Sequence, residues 1–192
     1  MPPKAKFTRE EIINAAFDLT RAQGLEAVTA RALGEKLGSS ARPIFSVFES
    51  MEEVHSEVLN AARRLYTDFI NRGLRQTPAF KGVGLEYIRF AIDEPKLFML
   101  LFMSEKEKKP SINGVLPVID ENYPVILDSV KDSYGFDDEQ AERLYCHLWV
   151  YSHGIAVLCA TKLCRFTAED IGNMLSEVCV ALIKEIKGEK ND

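Results

Sequence analysis

Three histidines, four cysteines and a single tryptophan are the residues best suited to chemistry in this 192-residue chain, and their spacing argues against most of it. A metal site on a helix wants two histidines four apart, so that both rings reach one ion. His147 and His153 are six apart and fall on different faces, and His55 is distant in sequence. Cys146 stands beside His147, but adjacent helical residues diverge, and nothing visible would activate a Cys–His nucleophile pair. Cys146, Cys159, Cys164 and Cys179 have no Cys-x-x-Cys spacing and cluster in the last quarter of the chain. They fit small apolar helix residues of a reducing compartment, with a redox sensor as the alternative. There is no Gly-rich phosphate loop. No cofactor, no metal and no enzymatic activity are expected from this set.

A different chemistry is open to the stretch from Thr29 to Phe48. Thr29 is a good helix N-cap, Leu33 and Leu37 share a face, and Gly38 stands where a left-handed cap would end the helix. Ser39 or Ser40 would cap a second helix, whose first turn takes Pro43 without loss because its N–H groups have no partner there. Ile44, Val47 and Phe48 share the inner face of that helix, leaving Ala41, Arg42, Phe45 and Ser46 mostly outward. Arg42 can bind a guanine edge bidentately or a phosphate. Helix, glycine turn and second helix make the helix-turn-helix plan, in which the second helix enters the DNA major groove. The tail before it, with Lys4 and Lys6, is either a loose terminus or a basic arm for the adjacent minor groove.

The elements that would position this stretch are all helical. Thr8 and Glu11 form a capping box for a helix over 8–23, with Ile12, Ala15, Ala16 and Leu19 as its apolar stripe. Ser50 and Glu53 form a second box, opening a connector helix over about 51–71 whose free N–H groups could accept a phosphate. Val54, Val58, Leu65 and Phe69 supply its buried face. Three glycines and a proline make 72–84 a loop, followed by a short helix over 85–92 and a run from Pro95 that is apolar nearly all round. A charged loop spans 104–110. A helix over 115–134 is interrupted by Pro117 and Pro124. A helix from Asp137 to about Cys164, roughly 40 Å long at ~1.5 Å per residue, precedes a final helix capped by Thr167. The last two helices carry surplus apolar surface, and pairing with their copies gives a four-helix bundle.

The fold class expected is therefore all-α: a helix-turn-helix head over 1–50 and a helical body over 51–192. The net charge of −5 is uneven: residues 1–50 carry +1 and the remainder −6. A slightly basic head on an acidic body suits a small DNA contact surface and excludes indiscriminate coating of nucleic acid. Residues 146–161 carry no charge, but sixteen residues with two histidines are too short and polar to span a membrane. No secretory signal opens the chain, so a cytoplasmic location is expected.

Thr29-Ala-Arg-Ala-Leu-Gly-Glu-Lys-Leu-Gly, then Ile44-Phe45-x-x-Phe48 and Ser50-Met-Glu-Glu-Val, resemble the DNA-binding head of the TetR (tetracycline repressor) family over about residues 7–60. Trp149-Val-Tyr-Ser-His153-Gly154 resembles the Trp-x-x-x-His-Gly motif of one class of C-terminal domains in that family, and Asp93-Glu94-Pro95-x-Leu97-Phe98 looks like a stretch common there. The resemblance implies a homodimer joined through its last two helices, a double-stranded DNA operator and a small, largely apolar effector that releases a repressor. It places Thr29, Ala41, Arg42, Phe45 and Ser46 at DNA, with Ser40, Lys4 and Lys6 beside them. Three positions depart from the family pattern: Phe45 stands where Tyr is usual, Met51 where Lys is frequent, and Arg42-Pro43 where Gly-Thr is usual. Two phosphate contacts are thereby removed, and Arg42 is free to supply another. Ligand-contacting candidates are Tyr87, Phe98, Phe102, Tyr123, Trp149 and His153, with Phe90, Met103 and Tyr145 behind them. For Trp149 and His153 the competing expectation is a satisfied core pair at a crowded helix crossing near Gly154. The alternative function is an all-α small-molecule-binding protein or enzyme without DNA binding, or an adaptor for another protein.

Overall fold

Side-chain caps fix where the main helices begin. The Thr8 hydroxyl accepts the Glu11 N–H at 3.1 Å while the Glu11 carboxylate accepts the Thr8 N–H at 2.7 Å. Thr29 accepts from the Ala32 N–H, Asp137 from Gln140 and Thr167 from Asp170. In the computed structural model, which describes residues 6–105 and 110–188, the helices are α1 (Arg9–Gln23), α2 (Ala30–Lys36), α3 (Met51–Leu74), α4 (Ala79–Asp93), α5 (Pro95–Phe102), α6 (Leu116–Ile119), α7 (Tyr123–Tyr134), α8 (Asp138–Ala160) and α9 (Ala168–Lys187). No strand occurs among the described residues, so the chain is all-α. Lys4 lies outside them.

Two compact units divide the chain. The first comprises Met1–Leu65 with Lys96–Ser104, the second Tyr66–Pro95 with Glu105–Asp192. In the first, Ile12, Ala16, Val28, Leu33, Ile44, Phe48, Val54 and Val58 form a buried core. Arg9 clamps its rim: its guanidinium lies over the Phe48 ring at 4.3 Å and donates to Glu53 and Glu57 at 2.8 and 2.7 Å. In the second unit α4 packs against α7, α8 and α9, and α8 against α9. Its core includes Ile70, Ile88, Phe90, Leu144 and Ala156, all fully buried.

Several expectations are corrected. Residues 41–48 do not form an α-helix. They make a turn and one short 3-10 segment, Ile44–Ser46. Pro43 brings no N–H, and its carbonyl is taken by the Ser46 hydroxyl at 2.6 Å and the Ser46 N–H at 3.3 Å, closing the turn early. Gly34 in α2 lets this segment come close, since a Cβ there would lie 2.9 Å from the Ser40 carbonyl carbon. The inner and outer faces match the sequence reading, with Ile44 and Phe48 buried and Arg42, Phe45 and Ser46 exposed.

Residues 72–84 are not one loop. α3 runs on to Leu74 and α4 starts at Ala79. The glycines serve a backbone contact: a Cβ on Gly73 would stand 2.7 Å from the Gly82 carbonyl carbon and from the Val83 Cα. The buried stripe of α3 includes Ala62, Tyr66 and Ile70 as well as Val54, Val58 and Phe69, while Leu65 is only half-buried.

α8 stops at Ala160, short of Cys164. The Lys162 N–H bonds to the Cys159 carbonyl and the Leu163 N–H to the Leu158 carbonyl, a Schellman closure with Lys162 in the left-handed region at φ 58°. The second capping box is half-made, because the Glu53 carboxylate accepts from the Glu49 N–H rather than from Ser50. Gly154 is not at a crowded crossing within the chain, since a Cβ there would meet nothing within 4 Å.

Candidate functional site

The outward surface of residues 29–48 belongs to the first unit. The hydroxyl of Thr29 is committed to its cap and that of Ser46 to Pro43. Ser40 is exposed and Ala41 half-buried. Lys6 donates to the Ser39 hydroxyl at 2.9 Å, beside the Gly38 turn. Arg42 is exposed and has no ion pair among the described residues, and Phe45 is 48 % exposed. An exposed guanidinium can take a planar or anionic partner, and a bared aromatic ring can take a planar or cationic one. At the start of α3 the Ser50 hydroxyl accepts the Glu53 N–H at 3.4 Å, and Glu52 and Glu53 stand in the first turn. Hydrogen bonds from Ser50 hold the Glu52 carboxyl below its ordinary value, and the Glu49 N–H followed by Arg9 does so for Glu53.

The second unit encloses a cavity of about 300 Å³. Its wall is mainly aromatic and aliphatic: Phe80, Tyr134, Tyr145, Leu148, Trp149 and Leu175. Tyr66, Tyr87, Lys81, Asp120, Ser152 and Cys179 bring polar atoms to it. Asp120 is buried. Its Oδ2 accepts the Tyr66 hydroxyl at 2.6 Å, and its Oδ1 accepts the Asn122 backbone N–H at 2.8 Å and side-chain amide at 3.1 Å. Burial raises the Asp120 carboxyl above the ordinary range, and those three donors oppose the rise by favouring the charged form. Burial, reinforced by the Asp120 charge, holds Tyr66, Tyr87 and Tyr145 far above the ordinary phenol value, so all three keep their protons.

Of the ligand candidates, Tyr87 and Trp149 line the cavity, as does Tyr145 behind them. His153 does not line it but stacks on Trp149, centroids 5.2 Å apart, and its Nδ1 lies 2.9 Å from the Tyr87 hydroxyl. Burial pushes the imidazole below its ordinary value, which favours the neutral ring at this contact. The indole N–H of Trp149 is buried and makes no hydrogen bond of ordinary geometry, although it stands near enough to Tyr87 to ease that hydroxyl's upward shift. Tyr123 stacks on Tyr145 at 5.7 Å, donates to Glu142 and is pushed up to about 12, chiefly by burial, but does not line the cavity. Phe98 and Phe102 pack together at 5.5 Å in the first unit, apart from the cavity wall.

Asp120, Tyr66 and Lys81 were not legible as cavity groups. Asp120 sits in a turn before Pro124, and Tyr66 is hidden by the choice of Leu65 as the inward residue. The four-residue spacing Val58, Ala62, Tyr66, Ile70 was the signal that could have found it.

The cysteines are free, with Cys164 exposed and the others half-buried; burial raises Cys146, Cys159 and Cys179. Among the described residues no group of three His, Cys, Asp or Glu side chains could hold a metal, and no helix is long and apolar enough to cross a membrane. No protein-family model matches the chain, and no curated protein matches it in sequence.

Proposed function

We propose that this chain is a ligand-responsive transcription regulator of the TetR type, a repressor that binds a palindromic operator as a homodimer and is released by a small effector. The observation that carries the reading is the build of residues 29–48. A capped helix and a left-handed glycine lead into a short turn anchored by Ile44 and Phe48, which presents an unpaired Arg42 and a bared Phe45 outward. In this reading that turn enters a major groove as the second half of a helix-turn-helix, with Ser40 and Ala41 alongside and Lys6 at the flank. Phosphate contacts are few, because Phe45 has no hydroxyl and Met51 no charge, so the salt slope is shallow for a protein of this kind.

The effector site is the cavity of the second unit. An effector acts by favouring the DNA-incompetent arrangement of the two heads, and only in proportion to its differential affinity for the two states. α3 is the one helix that gives Val54 and Val58 to the first core and Tyr66 to the cavity. The dimer face is the outer surface of α8 and α9, where Val150 is 48 % and Val180 53 % exposed and Gly154 leaves room for a partner to approach.

Mobility shift of the DNA flanking the chain's own gene tests the reading, comparing wild type with Arg42→Ala. Retention by wild type and weaker retention by the variant are expected. A loss that varies with operator sequence marks a base contact, and a uniform loss a phosphate contact. Absence of any shift at about 50 mM salt, where non-specific attraction is strong, would overturn it.

A further inference from the structure

We propose that the cavity of the second unit receives a protonated lipophilic amine, its ammonium group held by Asp120 among the rings of Tyr66, Tyr87 and Tyr145. This rests on the reading of that cavity as a ligand site and names the chemistry of the ligand.

Asp120 is the starting point. It is buried and lines the cavity, and three donors converge on it: the Tyr66 hydroxyl, the Asn122 N–H and the Asn122 amide. That is a cradle for an ionised carboxylate. The cradle lacks a counter-ion, since Asp120 makes no ion pair among the described residues. A buried charge without an opposite charge is costly, and removing that deficit is a large source of affinity for a cation. The three donors use three of the carboxylate's roughly four acceptor positions, which leaves one for an ammonium N–H.

The neighbouring wall suits the same guest. Tyr66 and Tyr87 meet edge to face with centroids 6.2 Å apart, and Tyr145 lies in the same negative field of Asp120. The rings are neutral phenols, and aromatic faces attract cations. The remaining wall, with Phe80, Leu148 and Leu175, takes an apolar body. At about 300 Å³ the space sits at the low end of small-molecule sites, matching one ring and a short chain. Lys81, the cation among the lining residues, acts on the Cys179 thiol and does not neutralise Asp120.

Three probes of equal length separate the possibilities: 4-phenylbutylamine, 4-phenylbutanol and 4-phenylbutanoate. Trp149, the single tryptophan, lines the cavity and reports binding by its fluorescence, with calorimetry on the full chain as a check. The amine is expected to bind at least tenfold tighter than the alcohol, and the butanoate more weakly than either. Asp120→Asn is expected to lower amine affinity to that of the alcohol and leave the alcohol unchanged. The wild-type comparison decides the matter even if that variant fails to fold. Butanoate binding tightest would point to Lys81 and overturn the amine assignment while leaving a ligand cavity. No binding by any of the three would overturn the assignment together with the cavity's role as a ligand site.

Discussion

Alanine at Gly73 is a severe test of how α3 and α4 meet. The added methyl would sit 2.7 Å from the Gly82 carbonyl carbon and oxygen and from the Val83 Cα, all main-chain atoms. Ordinary carbon–carbon contact needs about 3.5 Å, so the helices must part by roughly 0.8 Å or accept the overlap. They cannot part freely, because Arg72 pairs with the buried Glu86 at 3.0 Å and Phe69 meets Phe90 edge to face at 5.2 Å. Overpacking of this kind costs up to about 3 kcal/mol. Against it stands the gain of replacing glycine in a helix, at most about 1 kcal/mol. The net expectation is a loss of about 2 kcal/mol, which lowers the melting temperature by about 4–8 °C for a chain of this size. Thermal unfolding followed by circular dichroism measures it, and Gly82→Ala should behave alike because its Cβ would strike the Gly73 carbonyl oxygen. A mobile loop over 72–84 would gain stability from the same substitutions by losing unfolded-state freedom. An unchanged or raised melting temperature for both variants would refute the helix–helix contact.

Three further outcomes are expected. Lys162→Gly should raise stability by about 1 kcal/mol in denaturant unfolding, because Lys162 holds the left-handed cap position of α8 against its Cβ; a loss would contradict the cap. His153 is depressed by burial, so its contribution to stability is fully present above the unfolded value of about 6.5 and is lost as pH falls through the lower folded value. The melting temperature of wild type should therefore drop more than that of His153→Gln between pH 7.5 and 5.5, and Trp149 emission should titrate with a midpoint below that of a free imidazole. Equal slopes would remove His153 from the linkage. Val180→Glu and Val150→Glu should each weaken self-association at least tenfold in analytical ultracentrifugation, since a buried unpaired charge is expensive at an interface; unaltered association would place the dimer contact elsewhere.

Local signals carried far in this sequence. Thr8, Thr29 and Thr167 each opened a helix where their chemistry said they would, because an N-cap acts within three residues of itself. The inner face of 41–48 was also legible, because Ile44 and Phe48 have nowhere else to go. What failed depended on distant partners. Gly73 and Gly82 look like loop punctuation until two helices touch through them. The helix expected after Ser40 became a 3-10 turn because the Ser46 hydroxyl and N–H both close onto the Pro43 carbonyl, while Pro43 itself has no N–H to give. Within the cavity, Trp149 and Tyr87 were foreseeable as aromatic residues on apolar helices. Asp120 was not, since its importance comes from Tyr66, fifty-four positions earlier, donating to it across the unit.

The central claim is that two copies present residues 29–48 to one duplex. Hydroxyl-radical footprinting of the full chain on a retained DNA fragment tests it most directly. The account predicts two protected half-sites related by a dyad and centred about one helical turn, or a small multiple of it, apart, with protection weakened in both by Arg42→Ala. A single asymmetric patch, or protection that Arg42→Ala leaves intact while Lys6→Ala abolishes it, would contradict the account.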